Sequence, residues 1–329
     1  MDVKPPHSEA PSRVPRLRGI KKVTPSDTSV QIGSVTLPNP VMTASGTAGH
    51  GAELAAYFDL SELGAVVVKS LSVDPWAGNP SPRVHGASSG MINSVGLQNP
   101  GIENWLQEDL PALRALNARV VVSIWGRTVA EYAEAAKRLQ GVEGISAVEV
   151  NVSCPNLEDR GDMFSHAPDS CRAAISASLA SGLPTWAKLS PNVTDIVCIA
   201  RAAMDAGAEA LTLTNTVFGM VINPETQRPV LGNGGGGLSG PPIRPVALRA
   251  VYDVYEKLGP IPIVGVGGIA KGEHVVEFLA AGASAVQVGS AHFANPRASR
   301  QILRNLERWC RKHRISSVTS LVGAAHGNT

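Results

Sequence analysis

Asn151, Ser153, Cys154 and Asn156 sit together just past a short apolar run of Ala147, Val148 and Val150. A thiol titrates close enough to neutral pH to take a proton from carbon. Two carboxamides beside it offer donors and acceptors for a small polar ring. Taken alone, a cysteine at such a turn is more often a structural thiol, so its meaning depends on what surrounds it. Lys69 and Lys188 each follow another apolar run, where an ammonium is costly to place without a ligand or partner. Two of them at equivalent places point to an anionic or carbonyl-rich ligand. Gly267-Gly268 and Gly289-Ser290 follow two further apolar runs, and such glycines let backbone N–H groups approach a phosphate closely.

The runs that end in these residues number eight: Val41–Ala44, Ala65–Val68, Val120–Ile124, Ala147–Val150, Thr185–Ala187, Ala210–Leu213, Ile261–Val266 and Ala285–Val288. Most are continuously apolar, as in parallel strands covered on both faces. Helical patterns lie between them, at Ala52–Leu60, Val129–Leu139, Asp169–Ala180, Asp195–Ala206, Pro245–Leu258, Gly272–Ala281 and Arg297–Lys312. Glycines in DAGA (205–208) and AAGA (280–283) stop two of these helices. Eight strand–helix units predict an α/β fold, a (β/α)8 TIM barrel whose C-terminal face carries the chemistry. A doubly wound sheet would want a glycine fingerprint after its first strand, and Ala44-Ser45-Gly46-Thr47 does not supply one. VQIGSV (30–35) reads as a small hairpin ahead of the barrel.

Three connections are long: 70–99, 157–167 and 215–240. Long loops of this kind are commonly lids or binding loops. Met91–Gly101 brings Asn93 and Asn99 around a Val-Gly-Leu turn. An Asx turn accounts for one asparagine; both together suit a ring that alternates N–H and C=O. A phosphate cradle leaves two classes open, a phosphorylated substrate or a flavin mononucleotide. Gly232–Gly240 is flexible by composition, and reads either as a mobile surface loop or, with the second class, as a flavin contact through Ser239-Gly240.

With 43% hydrophobic and 17% charged residues, the 329-residue chain has material for one large core. A formal charge of +2 gives no nucleic-acid footprint. Its four cysteines are widely spaced with no CxxC pair, so neither a metal site nor a disulfide framework is expected, and a reducing, cytoplasmic setting is. No run has the roughly 20 apolar residues of a membrane span. Residues 1–28, rich in proline and basic residues, lack the apolar core of a secretory signal. They read as a disordered extension, with partner binding or organelle targeting as alternatives, before a single barrel domain over 29–329.

Eight segments then resemble the dihydroorotate dehydrogenase family: VVVKS (66–70), NSVGLQNPG (93–101), EVNVSCPN (149–156), AKLSPN (187–192), LTNTVFG (213–219), GGLSGPPIRPVAL (236–248), VGVGGI (264–269) and VQVGSA (286–291). The resemblance runs from about residue 30 to the end. Cysteine rather than serine at position 154 is similar to the soluble, class 1 branch. NTVFGMVIN with PETQRPVL is most similar to its heteromeric, NAD-linked members. NSVGLQN departs slightly from the more usual NAIGLQN.

The resemblance implies FMN-dependent oxidation of (S)-dihydroorotate to orotate, a step of pyrimidine (UMP) biosynthesis. Cys154 would take the C5 proton while the C6 hydride passes to flavin N5. Dihydroorotate would be held by Lys69, Asn93, Val95, Gly96, Leu97, Asn151, Asn156, Asn215 and Thr216. FMN would be held by Ala44, Ser45, Gly46, Lys69, Ser70, Asn93, Asn151, Lys188 and Gly240, with its phosphate on Gly267, Gly268, Gly289 and Ser290. A homodimer is implied, or a heterotetramer with a subunit carrying FAD and [2Fe–2S]. A related flavin-dependent pyrimidine reductase, like dihydropyrimidine dehydrogenase, is the alternative activity.

Overall fold

The computed structural model describes residues 26–153 and 163–327. Eight parallel strands form the frame: β1 (Val41–Thr43), β2 (Val66–Val67), β3 (Val120–Ile124), β4 (Ile145–Asn151), β5 (Thr185–Leu189), β6 (Ala210–Leu213), β7 (Ile263–Val266) and β8 (Ala285–Val288). They pair in the order β1-β8-β7-β6-β5-β4-β3-β2, and a parallel bridge from Met42 to Ala65 joins the two ends. The sheet therefore closes into the predicted barrel. β3, β5, β6, β7 and β8 are buried at every residue, which is why they read as mostly apolar runs, broken only by single polar residues such as Ser123, Thr212 and Gln287.

The helices follow the expected pattern with local differences. Val129–Arg138 starts at Thr128, whose hydroxyl accepts from Glu131 N, and Ile196–Asp205 starts at Asp195, which accepts from Val197 and Cys198 N. Ala52–Leu60 is not a helix. It forms two short 3-10 turns, Glu53–Ala56 and Leu60–Glu62, divided by the Asp59 cap. The chain after β2 returns through two helices that the periodicity did not single out, Ile102–Glu108 and Leu110–Ala115.

Val30–Ile32 and Val35–Leu37 pair as the expected hairpin. Residues 1–25 of the expected extension lie outside the described residues. Its last residues are held: Asp27 N donates to Ser316 O and Asp27 O accepts from Val318 N, at 2.8 and 3.0 Å.

The long connections are structured above the barrel. Val217–Gly219, Gly236–Ser239, Gly90–Asn93 and Val84–Ala87 pair in that order as an antiparallel sheet drawn from two different loops. The glycine-rich run thus becomes a central strand, not a mobile loop. Its composition answers to crowding. A Cβ on Gly237 would lie 2.0 Å from Thr216 Oγ1, and one on Gly236 2.4 Å from Asn93 O. Only glycine lets the strand sit this close to both neighbours.

Candidate active site

A cavity of about 620 Å³ opens between the C-terminal ends of the barrel strands and the antiparallel sheet above them. Its size suits a cofactor and a small substrate together. Every residue that the resemblance assigned to the site, within the described part of the chain, lines it. From the strand ends come Ala44, Ser45, Gly46, Lys69, Ser70, Asn151, Lys188, Asn215, Thr216, Gly267, Gly268, Gly289 and Ser290. From the upper sheet and its turns come Asn93, Val95, Gly96, Leu97 and Gly240. Cys154 and Asn156 lie outside the described residues. The described flanks of that segment, Ser153 and Met163, both line the cavity.

One wall is a ladder of carboxamides. Asn215 Nδ2 donates to Asn151 Oδ1 at 3.2 Å, and Ser153 N donates to the same oxygen at 3.2 Å. Tyr132 donates its hydroxyl to Asn151 O at 2.7 Å, which fixes the end of β4. Asn93 Nδ2 donates to Gly237 O at 3.3 Å, holding the roof strand. Asn99 does not join this set. It is buried outside the cavity, where Oδ1 accepts from Ser72 N and Gly101 N and Nδ2 donates to Leu97 O. The Asx reading explains that asparagine in full.

The floor carries two ammonium groups. Lys188 Nζ donates to Ser45 Oγ at 2.9 Å and pairs with Glu149 Oε1 at 3.3 Å. Burial, and then the Lys188 charge, push Lys69 down to about 8. Among the described residues no carboxylate pairs with Lys69. No carboxylate, imidazole or phenol lines the cavity among those residues, so its titratable groups there are these two lysines.

The far end is a cradle of backbone. Gly267 and Gly268 turn with φ of +145° and +65°, a conformation that a side chain would resist. A Cβ on Gly268 would also meet Gly240 O at 2.8 Å. The N–H groups of Gly268, Gly289 and Ser290 donate to no acceptor among the described residues. Donors without partners, in a concave glycine-lined end, fit a phosphate. The cavity, the cradle and the paired lysines together fit a flavin mononucleotide.

The other three cysteines are elsewhere. Cys171 is buried under its helix with its thiol pushed up to about 12, Cys310 is buried, and Cys198 is exposed; none lines the cavity.

Two residues that shape the cavity escaped the sequence reading. Asn192 donates to Thr216 O at 2.9 Å and accepts from Phe218 N at 2.8 Å, which shapes the strand end that carries Asn215. Glu149 lies wholly buried inside the barrel. Its signal was available, because a lone acidic residue interrupts the apolar run of β4 at an inward position.

The model of the family described as dihydroorotate dehydrogenase matches residues 28–309. A protein of Geobacter sp. (strain M21), named dihydroorotate dehydrogenase B (NAD(+)), catalytic subunit, is 48% identical over 299 residues, covering 91% of this chain and 98% of its own. One of Desulforudis audaxviator with the same name is 50% identical over 300 residues, covering 91% and 97%. The resemblance read from the eight motifs, including its NAD-linked branch, is borne out.

Proposed function

The chain belongs to the dihydroorotate dehydrogenase family, and from that premise we propose how this cavity oxidises dihydroorotate to orotate in pyrimidine biosynthesis. The family is flavin-dependent, and the flavin proposed here is FMN, with its phosphate on Gly267, Gly268, Gly289 and Ser290. The observation that carries the reading is the coincidence, in one cavity, of unpartnered backbone donors at one end with two lysines and a carboxamide ladder at the other. FMN, when bound, supplies the acceptor for the hydride that leaves C6 of the substrate.

The chain's own residues do the rest. Asn151, Asn215 and Asn93 present both donors and acceptors to the ring's N–H and C=O groups. Lys69 offers an ammonium to the substrate carboxylate, a charge-assisted contact that an uncharged dihydropyrimidine would not gain. Cys154 takes the C5 proton. An ordinary thiol near 8.5 needs only a modest downward shift to serve around neutral pH. Lys69 is a poor competitor for that proton below about 8, because it is already protonated. The upper sheet covers the reacting face and limits water.

The test combines colour and rate. Purified protein takes up FMN, and dihydroorotate bleaches its absorption, while dihydrouracil does not. Cys154→Ala keeps FMN but slows bleaching near neutral pH by at least about 10²-fold, the usual reach of a general base. Bleaching at the wild-type rate in that variant overturns the role of Cys154, and protein that takes up no FMN overturns the cofactor.

We propose further that electrons leave through a second subunit carrying FAD and [2Fe–2S]. The relatives' name, dihydroorotate dehydrogenase B (NAD(+)), catalytic subunit, speaks of an assembly and of NAD(+), which we take as the final acceptor. Two catalytic chains pair through the ribbon that follows β6, in which Ile222–Asn223 pairs antiparallel with Arg228–Pro229 and Phe218, Met220 and Ile222 are 55–57% exposed. Among the described residues no helix is long and apolar enough to cross a membrane. We propose a cytoplasmic site of action from the cysteines, whose wide spacing suits a reducing compartment.

A further inference from the structure

The interior of a (β/α)8 barrel is ordinarily filled by layers of branched apolar side chains. Here one layer is polar. Glu149 from β4 is wholly buried, and its Oε2 accepts from Thr212 Oγ1 of β6 and from Gln287 Nε2 of β8. Its Oε1 faces Lys188 Nζ of β5, whose side chain is 5% exposed. Lys188 in turn reaches Ser45 in the loop after β1. Glu149 itself does not line the cavity, whereas Lys188 and Ser45 do. A carboxylate placed this deep is expensive unless every lone pair finds a donor, and three donors from three strands meet this one. The network holds its own shape: strands carry the carboxylate, its two neutral donors and the lysine, so the ammonium has one place to stand.

We propose that Glu149 is a positioning residue for the flavin. It anchors the Lys188 ammonium at the cavity floor and offsets that charge, so that the pair presents a directed cation without a full net charge. This rests on the reading of the cavity as an FMN site. Thr212 and Gln287 fix the carboxylate, and Ser45 receives the ammonium on the cavity side. Gln287 Oε1 is buried without a partner, so its amide is free to reverse if Glu149 becomes an amide.

Glu149→Gln keeps the shape and removes the counter-charge. The uncompensated cation favours the reduced, more negative flavin over the oxidised one. An effect of about tenfold corresponds to a rise of about 30 mV in the two-electron midpoint potential. The same substitution in a Lys188→Met background changes the potential by nothing further, because the cation it balanced is gone. Glu149→Asp keeps the charge but draws the ammonium away from Ser45. In that variant the potential stays near wild type, while the FMN dissociation constant rises about tenfold.

Fluorescence quenching on FMN uptake and equilibrium dye titration of the reconstituted protein read both quantities. Wild-type potential and FMN affinity in the Gln and Asp variants overturn the inference. So does a Gln effect that persists undiminished beside Lys188→Met, since Glu149 would then act only on the fold. If the Gln variant does not accumulate folded, the Asp variant decides alone, and unchanged FMN affinity in it overturns the inference. Wild-type protein that takes up no FMN overturns this inference and the proposed cofactor together. Wild-type protein that binds FMN, with variants that match it, overturns this inference alone.

Discussion

Lys69 and Lys188 stand in one cavity close enough for the charge of one to depress the other, yet only Lys188 has a carboxylate partner among the described residues. The unpaired lysine is the one left to meet an incoming anion.

That division predicts a pH dependence. Burial first, and Lys188 second, lower Lys69 to about 8, so it carries its charge below that value and loses it above. Orotate, an anion throughout the range, binds with constant affinity up to about pH 8 and progressively more weakly beyond. Lys69→Met removes the break and weakens binding by about tenfold to a hundredfold, the range of a charge-assisted bond of about 1.5–3 kcal/mol. Without ligand the sign reverses. Between about 8 and the ordinary lysine value of about 10.4, the unfolded chain binds the proton and the folded one does not, so this group's contribution to stability rises with pH. Flavin absorbance titrations with orotate from pH 6 to 10 read the first effect, and thermal unfolding of the apoprotein the second.

Asn192 tests whether the end of β6 is held by side chains or by its own backbone. It bonds Thr216 O and Phe218 N simultaneously, so alanine there frees two backbone groups next to Asn215. Asn192→Ala raises the KM for dihydroorotate by about tenfold, as expected for loss of about 1–1.5 kcal/mol of positioning, and leaves FMN binding alone. Steady-state kinetics with a dye acceptor separate this outcome from one in which kcat falls and KM holds.

The ribbon after β6 exposes Phe218, Met220 and Ile222, an uncommon run of large apolar groups for a free surface. Met220→Glu or Ile222→Glu converts a dimer into monomers in analytical ultracentrifugation, with the unfolding temperature of each chain little changed. A dimer that survives both charges places the interface elsewhere.

The barrel was legible because parallel strands buried on both faces are mostly apolar, and each run ends where a polar residue reaches the cavity. Lys69, Asn151 and Lys188 all announced themselves in this way. The roof was not legible. Gly236–Ser239 is a strand only because Gly90–Asn93 and Val217–Gly219 arrive from distant loops to pair with it, and local composition sees glycine as flexibility. Glu149 was visible as an anomaly, but its partners Thr212 and Gln287 lie on strands far apart in sequence. Asn99 misled for the opposite reason: an asparagine that closes a turn has the same letter as one that meets a ligand.

Gly289 separates the cradle from the scaffold. Its backbone is not in the left-handed region, and an added Cβ would meet only Ala44 Cβ at 3.6 Å and Thr47 Cγ2 at 3.9 Å, both ordinary contacts. Those neighbours line the cavity, so the methyl group enters it without straining the chain. Gly289→Ala therefore leaves the unfolding temperature of the apoprotein where it was and weakens FMN binding by at least about tenfold, because the unpartnered N–H groups no longer reach a phosphate. Gly268→Ala behaves differently. Its φ of +65° and its approach to Gly240 O cost stability before any cofactor is added. Thermal melts of the two apoproteins and FMN titrations of each decide the point. Equal FMN affinity for Gly289→Ala and wild type would place the phosphate outside this cradle.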